Sequence, residues 1–443
     1  MASTKEICDF MHRLEEEFNL VEHKFAGVYA WPAARIAIYY ALTVAAGTYQ
    51  ESIATTGCKR TFFKRLVDLG CQFIRNPFFA WGAISYAIYV HSRKVNGKDI
   101  YSDALVQQYG DSALLLDSTF TGSERLQNAA DMGFFTTLAV MYRRMKMKGS
   151  TFSDDEDVLI KTIQGRIKKQ FGQQVDVKKI LQRRLFLFKF LKPVYKALFR
   201  YRKVQEVYIV NAYSYPYITA AAQELGLTVT ELQHGLITPY HMGYSYPGRE
   251  KVPYFPDRFY GFGQYWLESV DMPTATKKKV IGAPHMATLK SKNIDKIPGS
   301  VFFSSQTVIG QQVFNFAAKT AELLPKHKIT LNLHPNDSRD LYPASGLPEN
   351  LEILYKPANF FEILAAHEYQ AGSFSTTLFE GMLLGNKVIV LDLPGAENMQ
   401  PAIERGDAIF AQTPEELVGI LHTAHQAKDA EVYYADLVQK ISA

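Results

Sequence analysis

Cysteine is scarce: three residues in 443, Cys8, Cys58 and Cys71, all in the first fifth of the chain. An odd count without metal-type spacing argues against a disulfide framework and fits a reducing compartment. Long apolar runs are also missing. The nearest, Trp31 to Tyr49, is interrupted by Arg35, whereas a spanning helix needs about 20 apolar residues in succession. No secretory leader is visible, because Met1 to Glu17 is polar and carries Glu15, Glu16 and Glu17 in a row. No internal repeat stands out, no histidines share helical metal spacing, and no Asp-X-Asp closes an apolar run. Neither a repeat scaffold nor a metal centre is therefore expected.

What is present is an ordinary folded composition, 47% hydrophobic and 21% charged, on a chain long enough for two full cores. The net charge of +5 conceals an asymmetry. Residues 1–203 hold 31 Lys and Arg against 19 Asp and Glu, and residues 204–443 hold 18 against 25. A basic first half points to an anionic partner. Two segments mix cations with aromatic rings: Lys59–Phe79, and Leu181–Lys203, which has eight basic residues, no acidic one, and Phe186, Phe188, Phe190, Tyr195 and Phe199 between them. Such a stretch can lie in an anionic headgroup layer, or form a core-facing helix with a solvated basic face. Stacking on single-stranded nucleic acid uses the same chemistry. No recognised nucleic-acid module accompanies it, and nucleic acid is not expected as a partner.

Residues 1–105 read as a helical N-terminal region belonging to the acceptor-side domain, with an apolar stripe at Ile7, Phe10, Met11, Leu14 and Phe18. Ala113–Asp117 is the first clear strand. The run Asp154–Asp157 reads as solvated surface or the first turn of a helix. Strand and helix alternate over 206–282 and again from 300 onward, across a polar linker at Lys292–Gly299. Alternation of this kind implies βαβ units and parallel sheets. The expectation is α/β: two Rossmann-like domains facing a cleft, the N-terminal one over 106–292 and the C-terminal one over 300–443.

Open parallel sheets bind ligands beyond the carboxyl ends of their strands, and the candidate residues are those at such ends. In the second series Ser304 and Gln306 follow one strand, and His334, Pro335 and Arg339 follow another. Ser373, Ser375, Thr376 and Thr377 then open a helix that carries Glu380. A helix start offers N–H groups and a positive dipole end to phosphate. His334 can donate to a leaving phosphate, Arg339 can add a forked donor, and Glu380 can accept from ribose hydroxyls. In the first series Glu231-Leu-Gln-His-Gly235 ends a strand, which puts His234 on the cleft rim as a base for an acceptor hydroxyl. A histidine that only orders its loop is the plainer alternative.

Taken in order, Gln233-His234-Gly235, His334-Pro335 and Ser375-Thr-Thr-Leu-Phe-Glu380 resemble the motifs of bacterial GT-B glycosyltransferases of surface-polysaccharide assembly, over about residues 205–420. The pattern is similar to capsule and lipopolysaccharide Kdo transferases, to sialyltransferases using CMP-sialic acid, and to teichoic-acid CDP-glycerol phosphotransferases. Trp31-Pro-Ala-Ala-Arg35 also looks like the opening of bacterial capsule-cluster proteins. The resemblance implies a donor phosphate on His334 and the Ser373–Thr377 turn, Glu380 near the ribose, and His234 on the acceptor side. The acidic motif in which sialyltransferases keep their base is absent. A retaining reaction would need a carboxylate nucleophile, with Asp117, Asp131, Glu231 and Asp257 as candidates.

The expected activity is metal-independent transfer of a sugar from a nucleotide donor, CMP-linked (such as CMP-Kdo) ahead of UDP- or CDP-linked, to a surface polysaccharide or lipid-linked glycan. It needs no cofactor beyond the donor. CDP-polyol phosphate transfer and epimerisation are the enzymatic alternatives, and a carbohydrate- or lipid-binding partner in a capsule complex is the non-enzymatic one. The expected place is the cytoplasmic face of a bacterial membrane, held peripherally through Lys59–Phe79 and Leu181–Lys203.

Overall fold

Short β-branched and aromatic runs become strands here, and each ends where small or polar residues let the chain turn away. A computed structural model describes residues 2–49, 62–80, 84–91, 94–95, 98–117, 126, 129–145, 152–283, 286, 289, 294–423 and 425–435. The first half contains β1 (Tyr86–Tyr89), a small ribbon of β2 (Lys94–Val95) and β3 (Lys98–Asp99), then β4 (Ala113–Asp117) and β5 (Ala130–Asp131). It continues through β6 (Glu206–Val210), β7 (Thr228–Leu232), β8 (Arg258–Gly261) and β9 (Lys277–Val280). Seven of these form one sheet in the order β5-β4-β1-β6-β7-β8-β9, every pairing parallel. The second half supplies β10 (Ile297–Ser304), β11 (Ile329–Leu333), β12 (Leu351–Tyr355), β13 (His367–Gly372), β14 (Lys387–Leu391) and β15 (Ala408–Ala411). They pair in parallel as β12-β11-β10-β13-β14-β15. Both sheets are doubly wound, with strand order reversing beside β1 and beside β10, the switch points where such sheets bind ligands. The expected pair of Rossmann-like domains is therefore what forms.

The helices, in chain order, are α1 (Thr4–Glu17), α2 (Ala30–Ala45), α3 (Phe62–Ile74), α4 (Asp103–Tyr109), α5 (Gly133–Met145), α6 (Asp154–Phe171), α7 (Val177–Tyr201), α8 (Pro216–Gln223) and α9 (Gln264–Glu268). The second half adds α10 (Gly310–Leu323), α11 (Phe360–Ala366), α12 (Thr376–Leu383), α13 (Gln400–Glu404) and α14 (Pro414–Ile420). The acidic run Asp154–Asp157 is the first turn of α6, where Ser153 and Glu156 close a capping box and the carboxylates meet the positive dipole end. α2 is buried nearly all round, and Arg35, which breaks its apolar run, is 1% exposed. That guanidinium is bound by both oxygens of Glu15 from α1, at 2.6 and 2.8 Å. Trp31 donates to the same carboxylate at 2.7 Å. Arg35 also donates to the Met242 carbonyl and lies 4.0 Å from the centre of the Tyr246 ring. Helices α1 and α2 are thus bolted to the loop that follows β7.

Three sequence expectations change. The first hundred residues are not wholly helical: β1 lies inside them and is a central strand. The two series also do not part cleanly after the linker, because the C-terminal segment returns to the first sheet. Trp266 on α9 donates to the Tyr433 carbonyl at 2.6 Å, and Ala435 N–H donates to the Phe262 carbonyl at 3.0 Å. Gly263 permits this approach, since a Cβ there would stand 2.3 Å from the Val432 carbonyl oxygen. Finally, α7 turns its rings inward. Phe188, Tyr195 and Phe199 are buried with Leu181, Leu185 and Leu191, while Phe186 and Phe190 stack beside Tyr142 of α5. Several of its cations are also engaged: Lys192 and Lys196 bind Glu224, and Lys189 donates to the Ala26 carbonyl. Most of the rings of Leu181–Lys203 therefore face the core, while Tyr201 at the end of α7 stands exposed. Of the other segment, Lys59–Phe79, residues 59–61 lie outside the described residues.

Candidate functional site

On the C-terminal sheet, the loops after β11, β10 and β13 lie side by side, because those strands are neighbours. His334 follows β11 and its Nδ1 accepts from Asn336 N–H at 3.1 Å, with the Thr307 hydroxyl 2.8 Å away. An amide N–H can only donate, so Nδ1 is unprotonated and neutral His334 carries its proton on Nε2. The ring is thereby fixed as a donor. Pro335 beside it is exposed. Across the switch point Ser375 caps α12, its Oγ accepting from Thr377 N–H at 3.1 Å and lying 2.8 Å from the Thr377 hydroxyl. Thr376 and Thr377 begin the helix, and Gln306 stands half-buried on the loop after β10. His334, Gln306 and Ser375–Thr377 therefore follow the carboxyl ends of three neighbouring strands, β11, β10 and β13.

The other residues expected at these strand ends are engaged within the fold. Ser304 is buried and accepts from Gln370 Nε2 at 2.8 Å. Ser373 donates to the carbonyls of Leu393 and Pro394 at 3.0 and 3.1 Å, tying β13 to the loop after β14. Glu380 is 3% exposed, so its carboxylate supports α12 from within and does not stand open to a ribose. Arg339 curls onto its own loop, donating to the carbonyls of Tyr342 and Pro343 at 3.0–3.3 Å.

On the N-terminal sheet His234 follows β7, half-buried, with Tyr213 Oη 3.3 Å from its Nε2. Nδ1 is buried and has no hydrogen-bond partner among the described residues. Such an atom at a strand end calls for a functional explanation. Burial, then the charges of His91 and His241, hold the ring's pKa well below 6.5, which keeps the imidazole neutral. His91 follows β1 at the switch point, with its ring centre 5.3 Å from that of His234. Tyr101 meets His234 edge-on. Neither His91, Tyr101 nor Tyr213 was singled out from sequence. The signal was the aromatic and β-branched run Ile84–Val90 just before His91, which is a strand.

Three carboxylates expected near this base are placed elsewhere. Glu231, one residue inside β7, is 1% exposed and accepts from Tyr244 Oη at 2.7 Å and Ala212 N–H at 3.1 Å. It borders a void of about 20 Å³, room for one water and not for a sugar. Asp117 and Asp131 are paired in register at the far edge of the sheet, and Asp131 accepts from Gly133 N–H at 2.7 Å. At a strand spacing of about 4.8 Å they stand roughly 14 and 19 Å across the sheet from β7. None of the three shares a reacting atom with His234. Asp257, the remaining candidate, accepts from Val229 N–H at 2.8 Å near the start of β7, at the opposite end of the strand from His234. Among the described residues no group of three or more His, Cys, Asp or Glu is placed to hold a metal ion.

The loops at the two sets of strand ends come into contact. Thr238, four residues after His234, donates to Asn398 Oδ1 at 2.7 Å. Asn398 lies just beyond the Leu393–Pro394 loop that Ser373 holds. Tyr49 packs its ring 5.9 Å from that of Phe374, and Tyr434 Oη lies 3.5 Å from the Thr376 carbonyl. A larger hollow of about 380 Å³, lined by Lys326–Lys328 and Glu349–Glu352, sits at the amino ends of β11 and β12, away from all of these groups.

No protein-family model matches the chain, and no curated protein matches its sequence. Among solved structures the chain is similar to the glycotransferase of kitacinnamycin, with 12% identity over 79% of this chain and 92% of that one, TM-score 0.45. It is similar to a spinosyn rhamnosyltransferase at 14% identity over 76% and 92%, TM-score 0.45. It is also similar to a putative UDP-N-acetylglucosamine 2-epimerase from Listeria monocytogenes at 11% identity over 81% and 93%, TM-score 0.47.

Proposed function

We propose that this protein transfers a sugar from a nucleotide-activated donor to a hydroxyl acceptor in the cleft between its two sheets. The observation that supports the reading is the Thr238–Asn398 bridge, which ties the loop bearing the neutral imidazole of His234 to the half that carries His334 and the start of α12. His334 Nε2–H and the helix dipole would hold the leaving phosphate, and preorganised donors of this kind stabilise developing charge without reorganising. His234 would take the acceptor's proton as the bond to the sugar forms. With no carboxylate acting on His234 among the described residues, direct displacement with inversion is the simpler course. A CMP-sugar is the donor favoured by the motif resemblance, with a surface-polysaccharide or lipid-linked glycan as acceptor.

The test is a thermal-shift and calorimetric series with CMP, CDP, UDP and TDP, followed by donor-turnover assays with their sugar conjugates. One nucleotide is expected to stabilise the protein. The variant His334→Ala is expected to weaken its binding by about tenfold or more, the worth of a charge-assisted hydrogen bond. If no nucleotide binds, or if His334→Ala binds as tightly as the parent, the strand ends at His334 are not a donor site. Binding that survives without any turnover would favour a non-catalytic carbohydrate-binding partner.

We also propose that the acceptor is met at an anionic bilayer, through a surface that runs from α3 to the C-terminal end of α7. Ile74 is 73% and Tyr201 63% exposed, with Phe73 and Phe79 about half exposed. A chain of ring contacts through Phe134, Phe135 and Phe78 joins Phe79 and Phe73 to Tyr201. Exposed Arg75, Arg200 and Lys203 flank it, and Arg202 lies 5.2 Å from the Tyr201 ring. Apolar insertion beside cations suits anionic lipid. Co-sedimentation is expected with equimolar phosphatidylcholine–phosphatidylglycerol vesicles and not with phosphatidylcholine alone. It should fall about tenfold in a Phe73→Ser/Phe79→Ser variant. Equal binding of both variants, or of both vesicles, would refute the assignment.

A further inference from the structure

His91 stands at the N-terminal switch point and has no role in the mechanism above, and a buried carboxylate holds its backbone in place. Asp99, 2% exposed on β3, accepts from His91 N–H at 3.0 Å, Tyr101 N–H at 3.2 Å and Ser102 Oγ at 2.6 Å. One buried carboxylate therefore fastens the end of β1 to the segment that enters α4. The same anchor brings two rings onto His234. The His91 centroid lies 5.3 Å away and tilted by 36°, and the Tyr101 centroid lies 6.4 Å away at 86°. Tyr101 is backed in turn by Phe262, whose ring is 6.2 Å distant.

We infer that His91 is a positioning residue for His234: fixed by Asp99 at the end of β1, its ring walls in the base and opposes the proton that would disable it. The inference deepens the sugar-transfer reading and rests on it only for the word base. Its physical content is the interaction of two imidazoles, and that stands whatever the substrate.

The groups facing His234 come from four elements. His91 comes from the end of β1, Tyr101 from the segment before α4, Tyr213 from the turn after β6 and His241 from the loop after β7. Tyr213 stays a neutral phenol, since burial raises its pKa well above 10. His241 is also neutral across physiological pH, because burial lowers it to about 4 while its Nδ1 accepts from Gly243 N–H. Arg35 acts on His241 and is itself neutralised by Glu15. After burial, His91 is the larger and His241 the smaller of the two like-charge influences on His234. Two cationic rings at this separation in a dry site repel strongly, so protonation of one opposes protonation of the other.

The experiment is a histidine-ring NMR titration of the full chain, parent against His91→Phe and His91→Asn. It reads His234 directly and needs neither substrate nor turnover. The His234 midpoint is expected to rise by about one pH unit in both variants, because a like charge has been removed. The acid limb of kcat/KM should move the same way, with kcat falling and donor KM unchanged, since the donor groups lie on the other sheet. A midpoint unmoved in both variants overturns the inference. So does a shift in His91→Asn alone, which would mean that His91 only excludes water. Should His91→Phe fail to melt cooperatively, His91→Gln replaces it. A failed donor assay with the expected NMR shift would sink the sugar-transfer reading and leave the imidazole pair intact.

Discussion

Glu15→Gln and Arg35→Met are each expected to destabilise the fold by about 3–5 kcal/mol, because each strands one member of a fully buried ion pair. Arg35 is 1% and Glu15 3% exposed. Glu15→Gln keeps a partner for Trp31 and leaves the guanidinium uncompensated, while Arg35→Met leaves the carboxylate. The double variant is expected to be less damaged than the sum of the singles, as replacing both charges removes the desolvation cost with the attraction. Urea unfolding of the four proteins closes the cycle, and simple additivity would mean that the pair is not coupled. Activity should suffer as well as stability. Arg35 holds the Met242 carbonyl and the Tyr246 ring, both on the loop that begins at His234. Even below their melting transitions the single variants should therefore lose kcat.

That pair also shows how far the sequence could be read. Arg35 was legible as a charge inside an apolar run, and that alone argued against a membrane span. Its partner lies 20 residues earlier on another helix, and nothing in local spacing announces it. Strand ends were legible because parallel strands buried on both faces are nearly continuous apolar runs, as β6 and β14 are. His234, His334 and Ser375 could be placed from that rule. The roles of Ser304, Ser373 and Arg339 could not, since their partners are a distant side chain or backbone carbonyls that only the folded loops present. β1 was missed because Tyr-Ala-Ile-Tyr sits among bulky aromatics with no clean alternation, and β5 because two residues have no period. For α7, buried positions at 181, 185, 188, 191, 195, 198 and 199 carry the helical period. The sequence did not say that α2 and α8 would cover that face, so a lipid surface was an equal candidate.

Glu231→Gln is expected to stabilise the protein at pH 8 and to do much less at pH 4.5. Burial raises the Glu231 carboxyl from 4.5 to about 8, against the hydrogen bonds from Tyr244 and the Ala212 and Asn211 backbone, which pull it down. Below pH 4.5 both the folded and the unfolded chain hold the proton, and the native preference for the neutral acid is fully expressed. As pH rises toward 8 the unfolded chain releases that proton while the folded one keeps it. Each pH unit in this window then withdraws about 1.4 kcal/mol of stability. A glutamine has no proton to lose, its Oε1 can still accept from Tyr244 and Ala212, and its amide replaces the acid's O–H. Urea unfolding at the two pH values checks this, and an equal difference between parent and variant at both would show that Glu231 does not titrate across the window. The same variant separates scaffold from chemistry. Facing a void sized for one water, Glu231 is out of reach of an acceptor sugar, so Glu231→Gln should keep transfer activity within a few-fold of the parent. Loss of turnover with a native melt would return the carboxylate to the list of reacting groups and remove His234 as the sole base.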